Sequence, residues 1–336
     1  MFRSYQSKYR AKRWLRLLLL LLGILLLLCL LRVIYLQRYL VYGEDGVHLD
    51  YGSHTTPGLP RDPAAQDEDY ILLQEGTGSP EGTAPTGQSL PRYEGYYLTA
   101  GQVLSADVRA QVLAAADEGC TLLINMKTDT GKFLYNTALK DAQRAAADLA
   151  AIEAWVAALK EKGVRLIGQV PAFADSAYAL ADYGHSLSIA GGALWMDSNG
   201  SYWLDPAAPE TAEYLAQTAR ELQQLGFAEV VFSDFRFPDS STLRYEGDGN
   251  EALLTAAGSV LRKLEASSLS VSFRSPREDV LLQSARLYFS AESGSEAVSA
   301  GKQYRDHLTG GDAQLVFLTA SRDTRFQPYS LLRPFE

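Results

Sequence analysis

The chain has 336 residues, with 31 Lys and Arg against 40 Asp and Glu, a formal net charge of −9 and only two cysteines. The charge is unevenly spread: residues 1–42 hold eight basic and no acidic residues, so the remainder carries a net charge of −17. A body this acidic repels phosphate, which argues against a nucleic-acid partner, and its single cysteine, Cys120, cannot form an internal disulfide, so stability must come from a large core.

Six basic residues (Arg3, Lys8, Arg10, Lys12, Arg13, Arg16) precede an apolar run from Leu17 to Leu31 that includes Cys29. With Arg32 snorkelling, the run extends to Leu36, roughly the 20 residues that cross a bilayer. This predicts a cytoplasmic tail over 1–16 and a transmembrane helix over 17–36, with the N-terminus inside. A cleavable signal peptide is the competing reading, but the following LQRYLVYGED is bulky and offers no small-x-small site. The expectation is an uncleaved signal anchor in the cell membrane, with the rest of the chain extracytoplasmic. Residues 37–91 are rich in Gly, Pro, Ser and Thr, most clearly in GTGSPEGTAPTGQSLP, and read as a disordered linker.

From residue 92 onward strands and helices alternate. Tyr96 to Thr99 is a strand candidate, and Ser105 caps a helix that Gly119 stops. TLLINM (121–126) is a strand, followed by a helix from Lys140 to Lys162 whose Leu149, Ile152, Val156 and Leu159 share one face. VRLIGQV (164–170) is the third strand. Asn199-Gly200 marks a turn in a ribbon with Trp195 and Trp203 on its arms, and Pro209 opens a helix that Gly226 closes. Val230, Val231 and Phe232 form a buried strand that stops at Asp234. A helix over Glu251–Leu264 and a strand over Leu269–Phe273 follow. Ser275-Pro276-Arg277-Glu278 reads as a capping box opening a short helix. Leu287–Ser290 is a strand, Ser295–Leu308 a helix, and QLVFLT (314–319) the last strand visible.

Seven such alternations imply parallel strands with right-handed crossovers. Closed on themselves they make a (β/α)8 TIM-type barrel. Only seventeen residues follow Thr319, too few for a normal helix and an eighth strand, so the barrel is expected complete or short of its last unit. An open doubly wound sheet is the alternative.

On a barrel, the C-terminal strand ends would gather Lys127, Asp129, Asp175, Asp234, Arg236, Arg274 and Glu292. Carboxylates in a cleft with aromatic walls suit glycosidic chemistry, one protonating the leaving oxygen and the other attacking or activating water. A structural Asp–Arg ion pair at Asp234 and Arg236 is the plain alternative. No His/Cys cluster for a metal, GxGxxG, P-loop or GxSxG is present, so neither metal nor cofactor is expected.

Five segments, EGYYLTAG (94–101), INMKTDTGKFLY (124–135), LKEKGVRLIGQVPAFAD (159–175), ALWMDSNGSYWLDP (193–206) and LGFAEVVFSDFRFPDS (225–240), resemble in order a bacterial family of glycoside hydrolases. The family's barrel is similar to that of the α-amylases, and its members are often membrane-anchored or secreted. The resemblance implies a (β/α)8 barrel with Asp234 at the catalytic face and Arg236 beside it. Two positions depart from the family pattern. Asn125 stands where the family usually has Asp, and Arg274 stands where it tends to have an acidic residue.

These readings give an expectation. Asp234 is nucleophile or electrostatic stabiliser, and Glu292 or Asp129 is proton donor. Arg236, Arg274 and Lys127 hold Asp234 ionised, Trp195 and Trp203 stack sugar rings, and Asp175 lines the site. The ligand is envelope or extracellular polysaccharide. The alternative is a non-catalytic carbohydrate-binding or scaffold protein of the envelope, which the departures at Asn125 and Arg274 favour.

Overall fold

The computed structural model describes residues 40–43, 46–49 and 90–336. The predicted tail and transmembrane helix over 1–36 lie outside the described residues, as does most of the predicted linker. Among the described residues no helix is long and apolar enough to cross a membrane. Residues 1–82 form one unit and residues 83–336 another. Within the first, Leu40–Gly43 and Gly46–Leu49 pair as a short antiparallel hairpin.

The second unit is built on eight parallel strands: β1 (Glu94–Leu98), β2 (Thr121–Asn125), β3 (Arg165–Pro171), β4 (Glu229–Ser233), β5 (Ser270–Phe273), β6 (Leu287–Ser290), β7 (Leu315–Leu318) and β8 (Ser330–Pro334). Their hydrogen-bonded order runs β6-β7-β8-β1-β2-β3-β4-β5, so the open-sheet alternative is set aside for a nearly closed TIM-type barrel. Four full helices pack outside: α1 (Ala106–Ala115), α2 (Leu149–Glu161), α3 (Pro209–Leu225) and α4 (Gly249–Leu264). After β5 comes a single turn, α5 (Glu278–Leu281), and after β6 the helix α6 (Gly294–Tyr304). After β7 one 3-10 turn, Thr324–Phe326, replaces a helix, which is how an eighth strand fits into the last seventeen residues.

The predicted helix from Lys140 begins only at Leu149. Residues 139–148 are instead loop, with Asp148 capping the helix through the Ala151 N–H. The capping box expected at Ser275 is also absent. Its hydroxyl accepts from the Arg277 N–H, and α5 starts at Glu278 with no side-chain cap.

The remaining seam, between β5 and β6, has no regular ladder. It is closed by the Ala285 N–H donating to the Val271 carbonyl at 2.9 Å and by two serines. Ser284 Oγ accepts from the Phe273 N–H at 2.8 Å, and Ser272 Oγ accepts from the Arg286 N–H at 3.0 Å. Side-chain oxygens thus satisfy backbone donors that an offset strand would leave orphaned.

Alternate residues on each strand point inward. The middle of the barrel is filled by Leu123, Ile167, Val231, Tyr288, Val316 and Leu332, all buried. Beneath them a buried ion pair plugs the N-terminal end. Arg286 Nε lies 4.0 Å from Glu229 Oε2 and its guanidinium 3.6 Å from the centre of the Tyr93 ring. Tyr93 Oη donates to Glu229 Oε2 at 3.0 Å and Ser272 Oγ to Glu229 Oε1 at 2.7 Å. Arg286 donates further to the carbonyls of Pro91 and Ala313. Burial pushes the Glu229 pKa up, while Ser272, Arg286 and Tyr93 oppose it.

Arg286→Met strands the Glu229 charge, so unfolding at neutral pH should lose about 3–5 kcal/mol of stability. Glu229 titrates above its ordinary range in the fold, and losing Arg286 raises it further. The stability supplied by its protonated form is complete below the unfolded pKa and is lost as pH rises through the folded one. Denaturant unfolding at several pH values should therefore show the deficit smallest in acid and growing toward neutrality. A pH-independent deficit contradicts the assignment.

Candidate functional site

At the other end of the barrel the inward positions are polar. Alternation and strand register bring Tyr97, Asn125, Gln169, Ser233, Arg274 and Ser290 to the C-terminal mouth. Gln169 Nε2 donates to Asn125 Oδ1 at 2.7 Å, leaving Gln169 Oε1 buried and without a partner. Arg274 Nη2 donates to Ser290 Oγ at 2.9 Å. Tyr97 lies close enough to Arg274 that the guanidinium offsets part of the burial that raises its hydroxyl pKa.

Asp234 is the first residue after β4, with φ 53°. The left-handed region costs a side chain with a Cβ about 1–2 kcal/mol, least for Asp and Asn, and such strain concentrates where function requires it. The half-buried carboxylate accepts from Ser233 Oγ at 3.2 Å. Burial raises its pKa. Arg236, the Ser233 hydroxyl and Arg274 pull it down, Asp129 pushes it up, and burial prevails. The neighbouring cations thus pull the Asp234 pKa down in the expected direction but do not outweigh burial. Asp129 is exposed, on the loop after β2.

Arg236 sits with its guanidinium 4.5 Å from the Trp203 ring centre, and its Nε is buried without a hydrogen-bond partner. Arg274 is half-buried, and burial lowers its pKa against the opposing pull of Asp234 and Tyr97.

Three expectations are corrected. Lys127 and Asp175 are sealed in the interior, 2% and 0% exposed, and pair with one another. Lys127 Nζ and Tyr214 Oη are 2.8 Å apart, and Tyr214 Oη donates to Asp175 Oδ2 at 2.8 Å. The ammonium also lies 4.7 Å from the Phe133 ring centre. Lys127 thus neutralises Asp175 rather than Asp234, and neither reaches a ligand. The triangle anchors the loop after β2 to the loop after β3. Gly131 completes this contact, because a Cβ there would come 1.8 Å from Asp175 Oδ1.

The tryptophans form the predicted ribbon, with Met196 and Tyr202 bridged across the turn, but both indoles are buried. They meet edge to face at 6.2 Å. Trp195 Nε1 donates to Ser240 and Trp203 Nε1 to Asp197. Neither presents a free face to a sugar, and Trp203 instead supports Arg236. Glu292 is exposed on the loop after β6, and its charge is not among those that move Asp234. The carboxylate that Asp234 feels is Asp129.

Tyr97, Gln169 and Ser290 were missed in the sequence. The signal was available: each is a polar or amphipathic residue at an inward position near the C-terminal end of a strand. Among the described residues no cluster of three His, Cys, Asp or Glu side chains is placed to hold a metal ion.

A TIM-type barrel with polar inward side chains and a strained aspartate at its C-terminal mouth defines a ligand-handling scaffold whose chemistry is set by the loops. The chain belongs to the family described as "putative glycosyl hydrolase domain", whose model matches residues 95–271, from β1 into β5. Carbohydrate is therefore its ligand class. No curated protein matches the sequence. Among solved structures it is similar to a hypothetical protein from Ruminiclostridium thermocellum, at 19% identity over 53% of this chain and 96% of that one, with a TM-score of 0.46. It is also similar to an α-xylosidase from a soil metagenome complexed with xylose, at 14% identity, 74% and 43% coverage and a TM-score of 0.49, so it spans less than half of that chain. A variant of the glycoside hydrolase domain of PelA from Pseudomonas aeruginosa shares 18% identity, with 72% and 94% coverage and a TM-score of 0.42. These likenesses do not define a site.

If Lys127 is structural, Lys127→Met should lower stability by about 3–5 kcal/mol, because it leaves the Asp175 carboxylate buried and unpaired. Unfolding measurements beside saccharide binding check this. A variant of unchanged stability that loses only binding would restore Lys127 to the site.

Proposed function

We propose that the protein is a membrane-tethered, extracytoplasmic barrel that cleaves a glycosidic bond in envelope or extracellular polysaccharide at its C-terminal mouth. The observation that carries this reading is Asp234, strained into the left-handed region, half-buried, and held above the ordinary aspartate pKa by burial. A carboxyl whose pKa burial raises keeps its proton to higher pH than a free one, which is the direction a general acid needs. Asp234 would give its proton to the glycosidic oxygen as the carbon–oxygen bond breaks. Asp129, exposed on the neighbouring loop, would take a proton from the water that attacks the anomeric carbon. This assigns Asp234 the acid role in place of the nucleophile role expected from the sequence. Ser233, Arg236 and Arg274 keep its pKa from rising further.

The tether rests on the sequence: six basic residues, then an apolar run that reaches Leu36 with one interrupting arginine. The second reading, binding without turnover, is favoured by Asn125 and Arg274. The resembling family carries acidic side chains at those positions.

Asp234→Asn should fold normally, since Asn tolerates the left-handed region, and should reduce turnover by about a hundredfold or more while retaining saccharide binding. Full activity in that variant ends the catalytic role, and binding without turnover in the native protein establishes the second reading. In active protein, kcat/KM should fall as pH rises through the elevated Asp234 pKa, because the acid is lost on deprotonation. Removing the cation in Arg236→Gln should move that limb upward, and a limb that stays put contradicts the assignment. Protease added outside intact cells should remove the barrel, whereas protection until lysis overturns the outward orientation.

A further inference from the structure

Among the described residues, the two fully buried cations of the barrel are each matched by a carboxylate, Lys127 by Asp175 and Arg286 by Glu229. The two arginines at the mouth are not. Neither Arg236 nor Arg274 makes an ion pair within 4.0 Å among the described residues. Among the described residues Arg236 Nε is buried with no acceptor, and its guanidinium lies over the ring of Trp203. Arg274 uses one donor on Ser290 Oγ. The two arginines follow adjacent strands and are tied together through the backbone. The Arg274 N–H donates to the Phe232 carbonyl at 2.9 Å, and the Phe235 N–H donates to the Arg274 carbonyl at 3.3 Å. Asp234 stands two residues before Arg236 and is influenced by both charges.

A guanidinium presents five donors in a fixed fork that fits a planar carboxylate, and its desolvation is offset only when an anion is bound. We propose that the mouth recognises an acidic saccharide, with Arg236 and Arg274 receiving an anionic group borne by the sugar, in the first place a uronate carboxylate. Gln169 Oε1, the other unpartnered buried atom on the mouth, is placed to accept from a sugar hydroxyl. This rests on the reading of the mouth as the saccharide site, and it adds the charge of the ligand.

The test is calorimetric titration of the full-length protein in detergent with three oligosaccharides of equal length: an oligouronate, its methyl ester and a phosphate-bearing oligomer. The oligouronate should bind at least about tenfold more tightly than its uncharged ester, the scale of one charge-assisted hydrogen bond. Arg274→Gln and Arg236→Gln, checked for native thermal unfolding, should each reduce the ratio of acid to ester affinity. The ester comparison on the native protein needs no variant and stands even if a variant misfolds. Equal affinity for acid and ester overturns the proposal but leaves the mouth as a saccharide site. A preference for the phosphorylated oligomer that both substitutions abolish supports the anion subsite and makes its group a phosphate. An acidic preference that neither substitution alters overturns both this inference and the reading of the mouth.

Discussion

In a closed parallel barrel every second side chain must point inward, and each end of the barrel must do something with the polar groups it collects. Here the two ends solve this differently. At the N-terminal end, Glu229 and Arg286 meet with Tyr93, Ser272 and two backbone carbonyls, with Tyr288 Oη the one neighbouring buried oxygen without a hydrogen-bond partner among the described residues. At the C-terminal end the account does not close: Gln169 Oε1 and Arg236 Nε are buried without partners. An isolated unsatisfied polar atom costs about 1–3 kcal/mol, a cost that a ligand bonded to these two atoms would offset.

The same contrast separates charges that hold the fold from charges free to act. Lys127 and Asp175 are no less polar than Arg236 and Asp234, but Tyr214 and the Phe133 ring enclose them, and breaking such a pair is costly. Asp234 sits in a left-handed backbone conformation that few side chains tolerate, within the influence of both arginines. It remains half-buried, too enclosed to ionise at its ordinary pKa and exposed enough to meet a ligand.

Much of the barrel could be read from the chain. Buried strands such as TLLIN and EVVFS carry a three-residue apolar core, and Pro209 and Gly226 bracket α3 as helix punctuation should. The eighth strand could not, because Leu331 and Leu332 are a two-residue signal and a 3-10 turn takes the place of the helix that would announce it. The site was legible in outline. Asp234, Arg236 and Arg274 each follow a strand whose apolar run fixes its end, so their place beyond the C-terminal strand ends was readable. Whether a charge there faces solvent or a partner depends on long-range packing. Tyr214 reaches Asp175 across 39 positions, so nothing local to Lys127 or Asp175 announced their burial. The tryptophans misled for the same reason. Local patterning placed them on a ribbon, and the tertiary fold turned that ribbon inward against Arg236.

The central claim is that the C-terminal mouth, with Tyr97, Gln169, Asp234, Arg236 and Arg274, is a saccharide-binding surface. The most direct measurement is a crystal structure of the protein grown with a short oligosaccharide. The account predicts the sugar seated at the C-terminal mouth, with a hydroxyl or acidic group on the unpartnered atoms of Gln169 and Arg236 and the Asp234 carboxyl facing a ring oxygen or glycosidic oxygen. A sugar bound elsewhere, with Arg236 and Arg274 turned onto protein carboxylates and the mouth filled by side chains, would contradict it.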